Sequence, residues 1–526
     1  MENVKDAGNP ANRYQWAALG DLNAFFGLML DNVTNLVILT GILVGVFKFP
    51  VDVIYTKMIP GTAFGVLIGD IIYTWLAFRL ARRTGHTKVT AMPLGLDTPS
   101  TIGIAFAVLG PCYLASHDAI LTWKIGMATL VLIGIVKVIM SFFGDWIGRI
   151  VPQAGLLGSL AGIGLALLAF LPLIEIFSLP IVGVAALGLV LYALVARIRL
   201  PGHIPGAFAA VLLGTIIYYI LGATGGLGKE FVLPKINLIV ALPVPTLGFM
   251  DGLTQAINYL PLAIPFGILT IVGGINVTES ARVAGDEYRT RSILLTEAIA
   301  TLVAGVCGGV AQSTPYIGHP AYKKMGGRAA YTLATGLFIG IGGMFGFISA
   351  IVDILPVAAV APILIFVGLE IISQAYHACP RHHAPAVTFA YLPIVAELVR
   401  IQTSTLMGAL NAGVQSLPAG TAKSYMVITA LGHGFILTAM LWGAILAFII
   451  DRKFISAFVY LLITAVFTFF GVIHSAMPGG EIYLPWKLTA GMQSIPYNFT
   501  IAYLVFAVMI LILNFLPKQV EENEVE

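Results

Sequence analysis

The sequence predicts an all-α polytopic membrane protein: a seven-plus-seven transmembrane inverted repeat with about two extra C-terminal helices. Hydrophobic residues make up 58% of the 526-residue chain and charged residues only 10%, whereas soluble domains carry about 25% charged residues. The apolar runs are continuous over the length of a membrane helix and do not alternate as barrel strands do. Two short polar segments at matching positions interrupt this pattern and indicate the repeat.

The same composition argues against a soluble enzyme, a disordered protein and a nucleic-acid-binding protein. The formal net charge of +3 is too small to indicate a polyanionic partner. The three cysteines, Cys112, Cys307 and Cys379, lie far apart in the sequence. Neither a disulfide framework nor a structural zinc site is therefore expected. Residues 1–16 are polar, so no cleavable signal peptide is expected.

Sixteen segments are predicted to cross the membrane, since a spanning helix needs about 20 mostly apolar residues. Two of them, the third and the tenth, are short. In chain order the segments are 17–46, 59–80, 99–114, 120–143, 150–172, 176–196, 205–222, 258–279, 291–310, 315–324, 329–352, 355–375, 384–399, 426–449, 454–474 and 497–516.

The distribution of basic residues supports this count. If the N-terminus is cytoplasmic and every segment crosses, 19 of the 28 Lys and Arg residues lie in inside segments and only 7 lie outside. Cytoplasmic loops collect Lys and Arg, and removing one segment would invert every later loop. We therefore expect both termini to lie in the cytoplasm and both short segments to cross the membrane. We expect the protein in a plasma membrane, specifically a bacterial inner membrane.

The third and tenth segments share an unusual pattern, a polar and extended-looking stretch followed by Thr-Pro. Threonine is a good N-cap, and proline is favoured at the first helical position. Each segment is therefore predicted to be a half-helix that begins within the bilayer, where non-helical backbone must be buried in protein or line a cavity. The motifs are Asp97-Thr98-Pro99-Ser100 and Ser313-Thr314-Pro315-Tyr316.

The two short segments lie seven spans apart, and this odd offset means that the chain crosses them in opposite directions. Spans 1–7 and 8–14 are therefore predicted to form an inverted repeat, and interrupted segments at matching positions indicate a transporter's substrate site. Two helix starts aimed at one pocket would present unpaired amides and partial positive charge, which favour carbonyl oxygens or an anion. Two ordinary kinked helices are the alternative, because Pro and Gly are common in membrane helices.

Three stretches carry a resemblance to a known family: residues 20–28, the Asp97-Thr98-Pro99-Ser100 motif, and residues 285–327, which contain the second motif. With these stretches the chain resembles the xanthine/uracil permeases (the nucleobase/ascorbate transporter family), especially their adenine/guanine/hypoxanthine branch. The likeness extends over roughly residues 17–450.

The resemblance implies a secondary active transporter, a proton- or sodium-coupled symporter for a nucleobase-like or related small polar or anionic solute, often as a homodimer. It also implies a core domain that moves against a gate domain by alternating access. The implied divisions are a cytoplasmic segment (1–16), two core halves (17–143 and 258–352), two gate halves (144–222 and 353–449), an extracytoplasmic connection (223–257), extra spans (450–516) and a cytoplasmic tail (517–526).

The resemblance places the substrate between the half-helices of spans 3 and 10, against span 8. Family members carry acidic residues in spans 8 and 10, where this chain has Asn276 and Gly318. Glu279, one turn after Asn276, is the candidate substrate contact or proton carrier, and a surface ion pair with Arg282 is its alternative. The expected substrate-binding residues are Asp97, Thr98, Ser100, Asn276, Glu279, Ser313, Thr314 and Tyr316.

Further polar residues lie in predicted spans, where ionisable groups are costly and often functional. Asp31, Asn32 and Asn35 are polar at mid-membrane in span 1, and Asp31 is expected to buttress a half-helix, or alternatively to form part of a proton or sodium site. His319 is expected to pack in the core or to titrate near neutral pH. Asp70 and Lys137 are expected to pair with each other, and Glu297 is a further buried charge.

The group of His377, Cys379, His382 and His383 matches no standard metal spacing, so no metal site is expected there. No catalytic residues and no cofactor are predicted either. An anion or carboxylate carrier built like the sulfate permeases is the alternative transporter. A membrane-embedded enzyme or a channel is the alternative of another class.

Overall fold

The computed structural model describes residues 14–143, 152–228, 231, 233–234, 238–316, 318–410, 412–477, 479–489 and 492–516. We number its main helices and strands in chain order. They are α1 (Gly20–Val46), α2 (Val51–Thr84), β1 (Leu94–Leu96), α3 (Thr98–Ser116), α4 (Ala119–Ser141), α5 (Gln153–Ser178), α6 (Pro180–Val195), α7 (Gly206–Ala223), α8 (Phe249–Val283), α9 (Thr290–Val306), β2 (Ser313–Pro315), α10 (His319–Lys324), α11 (Ala330–Met344), α12 (Phe347–Ile354), α13 (Val357–Ala378), α14 (Arg381–Gly408), α15 (Ala419–Gly432), α16 (Phe435–Ile450), α17 (Phe454–Phe469) and α18 (Ser494–Phe515).

The all-α polytopic membrane fold is confirmed. Ten helices of the described part are long and apolar enough to cross a membrane, or up to twelve if each of two bent pairs is one span. Every predicted span overlaps one or two of the helices numbered above, several of which are shorter than a full span. The predicted start of the fifth span and the two tails (1–13 and 517–526) lie outside the described residues.

Two predicted spans are broken in the middle, which the sequence analysis did not expect. The segment 329–352 forms α11 and α12, bent by 88°, and 426–449 forms α15 and α16, bent by 77°. At the breaks Gly346 and Gly434 have φ of 79° and 69°. Glycine adopts this left-handed conformation without the Cβ clash that other residues meet, so each helix ends there and restarts in a new direction.

Contacts group the chain into two compact units, one within residues 1–147 and 163–371 and the other within 148–162 and 372–526. This division differs from the predicted core and gate domains, which stay a prediction. In the first unit, α2 packs against α9 and α11, α4 packs against α8 and α9, and α1 packs against α11. The predicted core helices therefore do pack on one another, around the short strands β1 and β2.

Three glycines spaced four residues apart let α2 approach its neighbours closely. A side chain at Gly65 would lie 2.6 Å from the backbone oxygen of Ala300 in α9, and one at Gly69 would overlap Leu94 of β1. Small residues at this spacing are typical of tightly packed membrane helices, which gain stability from close contact rather than from hydrophobic exclusion of water. This face of α2 therefore holds α9 and β1 in place.

We expect Gly61→Ala to lower stability by about 1–3 kcal/mol, the usual cost of overpacking. The new methyl group would overlap the backbone nitrogen of Gly309 and lie 2.5 Å from the backbone oxygen of Cys307. Both atoms belong to the loop that leads into β2 and cannot rotate away. Thermal unfolding in detergent checks this, with Gly45→Ala as the control because nothing lies within 4 Å of its added methyl group; equal midpoints for the two variants would contradict it.

In the second unit, the start of α14 packs against α16. Ala386 and Val387 of α14 form one buried apolar cluster with Ala447 near the end of α16. The small side chains bring the two helix backbones together, so the residue that follows α16 lies close to the first residues of α14.

Candidate functional site

The centre of the first unit is a two-stranded antiparallel ribbon. Strand β1 pairs with β2 so that Leu94 lies opposite Pro315 and Leu96 opposite Ser313. Two further bonds extend it: the Asp97 amide donates to Gln312 O (2.9 Å), and the Tyr316 amide donates to Pro93 O (2.8 Å). The extended starts expected from the sequence are therefore real, and pairing satisfies backbone groups that would be costly unpaired inside a membrane.

Helix α3 leaves one end of this ribbon at the predicted motif, with a different cap, and its 19 residues are long enough to cross a membrane. Asp97 is the N-cap residue, its side chain accepts a bond from the Ser100 amide (3.0 Å), and Thr98 is the first helical residue. The Thr101 amide donates to Asp97 O, and Pro99 has no amide hydrogen. Most donors of the first turn are thus already used, contrary to the expectation of unpaired amides.

The tenth segment departs further from its prediction. Thr314 and Pro315 belong to β2, and α10 begins only at His319, with Pro320 in its first turn. The helix has six residues, so its aligned peptide dipoles add little. The predicted pair of amide-rich helix starts is therefore wrong on this side. Pro99, in the first turn of α3, and Pro315, at the end of β2, nevertheless lie at the same ribbon, and α3 and α10 leave it at opposite ends.

Lys137 of α4 is the cation of the site. Its side chain is fully buried, and its ammonium donates to Ser313 O at 2.7 Å and lies 3.4 Å from the Gln312 side-chain oxygen. It pairs with Glu297 of α9, with Nζ and Oε1 3.8 Å apart. The expected pair with Asp70 is wrong, because Asp70 lies against Gly336 of α11 instead. Lys137 therefore ties α4 and α9 to β2.

Glu297 is also the acid nearest to the second motif. The Thr314 hydroxyl donates to its other oxygen, Oε2, at 3.4 Å. From α8, Gly274 faces both groups: a side chain there would lie 3.4 Å from Pro315 and 3.5 Å from Glu297 Oε2. Helix α8 thus approaches the ribbon through a glycine.

The two α8 residues singled out by the sequence lie on the exposed part of that helix. Asn276 is exposed, and Glu279, with its side chain 55% exposed, forms the ion pair with Arg282 that was the alternative to a substrate contact. Substrate contact by Asn276 and Glu279 stays a prediction, and Glu297 is the carboxylate that the fold itself brings to the ribbon.

Helix α1 supports the opposite strand through Asn32, a residue that the sequence marks as polar at mid-membrane but to which no separate role was assigned. The Leu96 amide donates to the Asn32 side-chain oxygen at 3.0 Å, so Asn32 buttresses β1, a role assigned to Asp31. The Asp31 carboxylate lies beside Gly95, where a side chain would come within 3.3 Å of Oδ2. Asn35 donates to the Asp31 backbone oxygen at 3.0 Å.

Several buried polar atoms at the ribbon have no hydrogen-bond partner among the described residues. They are Asp31 Oδ2 and the Ser313 hydroxyl oxygen, and Glu297 Oε1 has only the ion pair with Lys137 at 3.8 Å. Buried polar groups are paired in nearly all proteins, so these atoms are available to a further partner such as water, a proton or an ion. Ser100 donates instead to Asp97 O at 3.2 Å, and Tyr316 stacks on Tyr322 with ring centres 6.1 Å apart.

His319, the first residue of α10, belongs to a second polar cluster. Its ring is fully buried and places Nε2 3.3 Å from Asp286 Oδ2 and 3.2 Å from Thr90 O. Lys323 lies 2.7 Å from the other Asp286 oxygen. Burial alone would raise the pKa of Asp286, but hydrogen bonds from His319 and Lys323 hold it below its ordinary value. This cluster fastens α10 to the connection between α8 and α9.

We expect Asp286→Asn to lower thermal stability at neutral pH, and this loss to shrink as the pH falls below 3.8. The pKa of Asp286 is lowered in the fold, so its contribution is complete above the ordinary aspartate pKa and disappears as the carboxylate is protonated at lower pH. Thermal unfolding over a pH series measures this, with the exposed Asp52→Asn as the control. If Asp286→Asn lowers thermal stability by the same amount at every pH, the charge of the Asp286 carboxylate does not contribute to stability.

No protein-family model and no curated relative matches this sequence. Similar solved structures include the transmembrane domain of the cyanobacterial bicarbonate transporter BicA (TM-score 0.51, 16% identity, 74% of this chain and 96% of that one). Others are SLC26A9 (0.51, 12%, 74% and 65%) and the murine Slc26a9 anion transporter in its inward-facing state (0.50, 12%, 78% and 73%). At these identities the likeness establishes the fold alone.

The chain is therefore a polytopic membrane protein with the transmembrane fold of SLC26/SulP-type proteins. The structural neighbours are transporters rather than enzymes.

Sequence reasoning located the ribbon but missed most of what surrounds it. Gln312, which donates to Asp97 Oδ2 at 3.2 Å and links the two motifs, was passed over. Asn32 was given no separate role. A polar residue directly before the second motif, and an Asp-Asn pair at mid-span in α1, were the signals that pointed to them, since buried polar groups need partners.

Proposed function

We propose that this protein is a secondary active transporter of a small anion and that the ribbon is its substrate site. The observation that carries this proposal is the ribbon itself: two broken segments, running in opposite directions, pair at a cluster of buried charges. Transporters place their sites where discontinuous segments of two inverted repeats meet. Bicarbonate and anion transporters among the structural neighbours support the anion.

The site offers an anion two attractive features. Helix α3 begins at the ribbon, and its N-terminal end carries partial positive charge. The ammonium of Lys137 is fully buried directly behind β2. An inorganic anion or a carboxylate is therefore a better fit than the nucleobase that the sequence resemblance implies.

A nucleobase-like solute is the second candidate, for one specific reason. The acid that nucleobase permeases carry in span 10 is missing from this sequence, but Glu297 places a carboxylate beside Thr314. A carboxylate there accepts hydrogen bonds from ring N–H groups, which an inorganic anion lacks. The substrate panel below separates the two candidates.

We infer that transport is coupled to a proton or to sodium. Three carboxylates, those of Asp31, Asp97 and Glu297, lie around the ribbon, and Lys137 is the cation that pairs with Glu297. Acids inside membrane proteins mark ion pathways and proton relays, and the excess negative charge of this group is balanced when a proton or cation binds with the substrate. We further propose that the protein lies in a bacterial-type inner membrane with both termini in the cytoplasm. Its core domain moves against its gate domain during transport, and the protein forms a homodimer.

Reconstituted vesicles test the function. We expect uptake of at least one of bicarbonate, sulfate or a dicarboxylate, driven by a proton or sodium gradient and absent from empty vesicles. Uptake of uracil or hypoxanthine instead would favour the second candidate, and no gradient-driven uptake of any solute would contradict transport at this site. Glu279→Gln, run in parallel, tests the predicted substrate contact, since uptake at the wild-type rate would remove that residue from the site.

A further inference from the structure

Three potential metal ligands meet in the second unit, far apart in sequence and distinct from the ribbon. His382 and His383 stand at the start of α14, and Asp451 directly follows α16. Nε2 of His383 lies 2.7 Å from Asp451 Oδ1, and Nε2 of His382 lies 3.4 Å from the same oxygen. One ligand atom from each residue lies within 4.8 Å of the other two.

The backbone positions of these residues are well determined by their helices. The His383 amide donates to Pro380 O at 2.9 Å, and the Asp451 amide donates to Ala447 O at 2.9 Å. The His383 side chain is only 9% exposed, whereas that of His382 is 62% exposed. The cluster is therefore anchored on one side and open to solvent on the other, which leaves an entry path.

We propose that His382, His383 and Asp451 bind a divalent transition metal, with Zn²⁺ as the best fit, and so tie the start of α14 to the end of α16. Ligand atoms 2.0–2.2 Å from a tetrahedral zinc lie about 3.4 Å apart. The His382–Asp451 separation already has that value. The shorter His383–Asp451 contact opens by about 0.7 Å when the metal replaces the hydrogen-bonded proton, and water supplies the remaining ligand.

The chemistry of the three ligands selects this class of metal. Two imidazoles and one carboxylate suit Zn²⁺, Ni²⁺, Co²⁺ and Cu²⁺, whereas Mg²⁺ and Ca²⁺ prefer oxygen ligands. Lys453 lies 2.9 Å from Asp451 Oδ2 and leaves Oδ1 to the metal.

A simple ion pair explains only part of this arrangement. One histidine is enough to pair with Asp451, yet two rings pack with centroids 4.4 Å apart and converge on one oxygen atom. The inference does not depend on the proposed transport function.

Cobalt titration of the purified full-length protein tests the site. The protein is prepared without a histidine tag and stripped with a chelator, and Co²⁺ is followed by the visible absorption of its tetrahedral complex. We expect saturable binding of about one ion per chain that Zn²⁺ displaces. His383→Ala and Asp451→Asn should weaken binding by at least about 100-fold, since even the loss of outer-shell partners costs 10–100-fold.

Two neighbours serve as matched controls. His377→Ala and Cys379→Ser alter the other candidate ligands of the same connection and should leave the affinity unchanged. His382→Ala keeps the His383–Asp451 bond, so it removes a ligand without breaking the fold and should also weaken binding. Absence of saturable binding, full affinity in His382→Ala, or a thiolate-to-cobalt band that Cys379→Ser abolishes would each overturn the proposal.

Discussion

Replacing Lys137 with methionine is expected to destabilise the protein by about 3–5 kcal/mol, the cost of leaving one member of a buried ion pair without its partner. Both side chains of the Lys137–Glu297 pair are fully buried. The substitution also removes the 2.7 Å bond to Ser313 O that fixes β2. Methionine retains the length of the lysine stem, so the loss comes from charge and hydrogen bonding. Chemical or thermal unfolding in lipid nanodiscs measures it.

The double variant Lys137→Met/Glu297→Gln separates stability from transport. Removing both charges leaves no uncompensated ion, so we expect most of the lost stability to return, while transport stays absent because the site has lost its cation. If the stability lost in the double variant equals the sum of the losses in the single variants Lys137→Met and Glu297→Gln, the two residues do not act as a pair. Lys124→Met is the control, because its ion pair with Asp251 is solvent-exposed and worth at most about 1 kcal/mol.

The second large effect is expected at Asp97, where Asp97→Ala should lower stability and abolish transport. The variant loses the cap of α3, which costs about 1 kcal/mol. It also loses the bond from Gln312, which joins the start of α3 to the residue before β2. Asp97→Asn keeps a good capping side chain without the charge, so stability should recover while ion-coupled transport does not.

A second capped helix provides the matched control for this experiment. Asp118 caps α4, accepting bonds from the amides of Ile120 and Leu121 at 2.9 Å, and is exposed. Asp118→Ala should therefore cost a similar cap energy and leave transport unchanged. If Asp97→Asn transports like the wild type, Asp97 acts only as a cap, and its carboxylate takes no part in coupling.

The helical segments were predictable because a membrane span is a local property of the chain. Continuous apolar runs of the right length mark each helix, and the basic residues of the loops report its direction. The two Thr-Pro motifs were recognisable for the same reason, since proline and threonine act on the backbone of their own neighbourhood. The two motifs adopt different secondary structures, because the first begins a helix whereas Thr314 and Pro315 belong to a paired strand.

The partners of the buried charges were not predictable in the same way. Lys137 pairs with Glu297 rather than Asp70, and β1 rests on Asn32 rather than Asp31. Neighbouring polar residues on one helix face different directions, and a rotation of about 100° per residue decides which of them meets the ribbon. The likeness to SLC26-type structures likewise came from three-dimensional comparison, at 12–16% identity, and moved the proposed substrate from a nucleobase towards an anion.

The sequence by itself determined that this chain is a polytopic membrane protein and where the two polar interruptions fall, although it predicted sixteen spans and the described part has ten to twelve candidates. These properties depend on local hydrophobicity and on backbone chemistry within a few residues. Only the tertiary structure decided that the interruptions join as a ribbon, that Lys137 lies behind it with Glu297, and that Asp451 reaches two histidines almost seventy positions earlier in the chain. Such contacts depend on helix rotation and close packing across the whole chain, for which a single sequence carries no local signal.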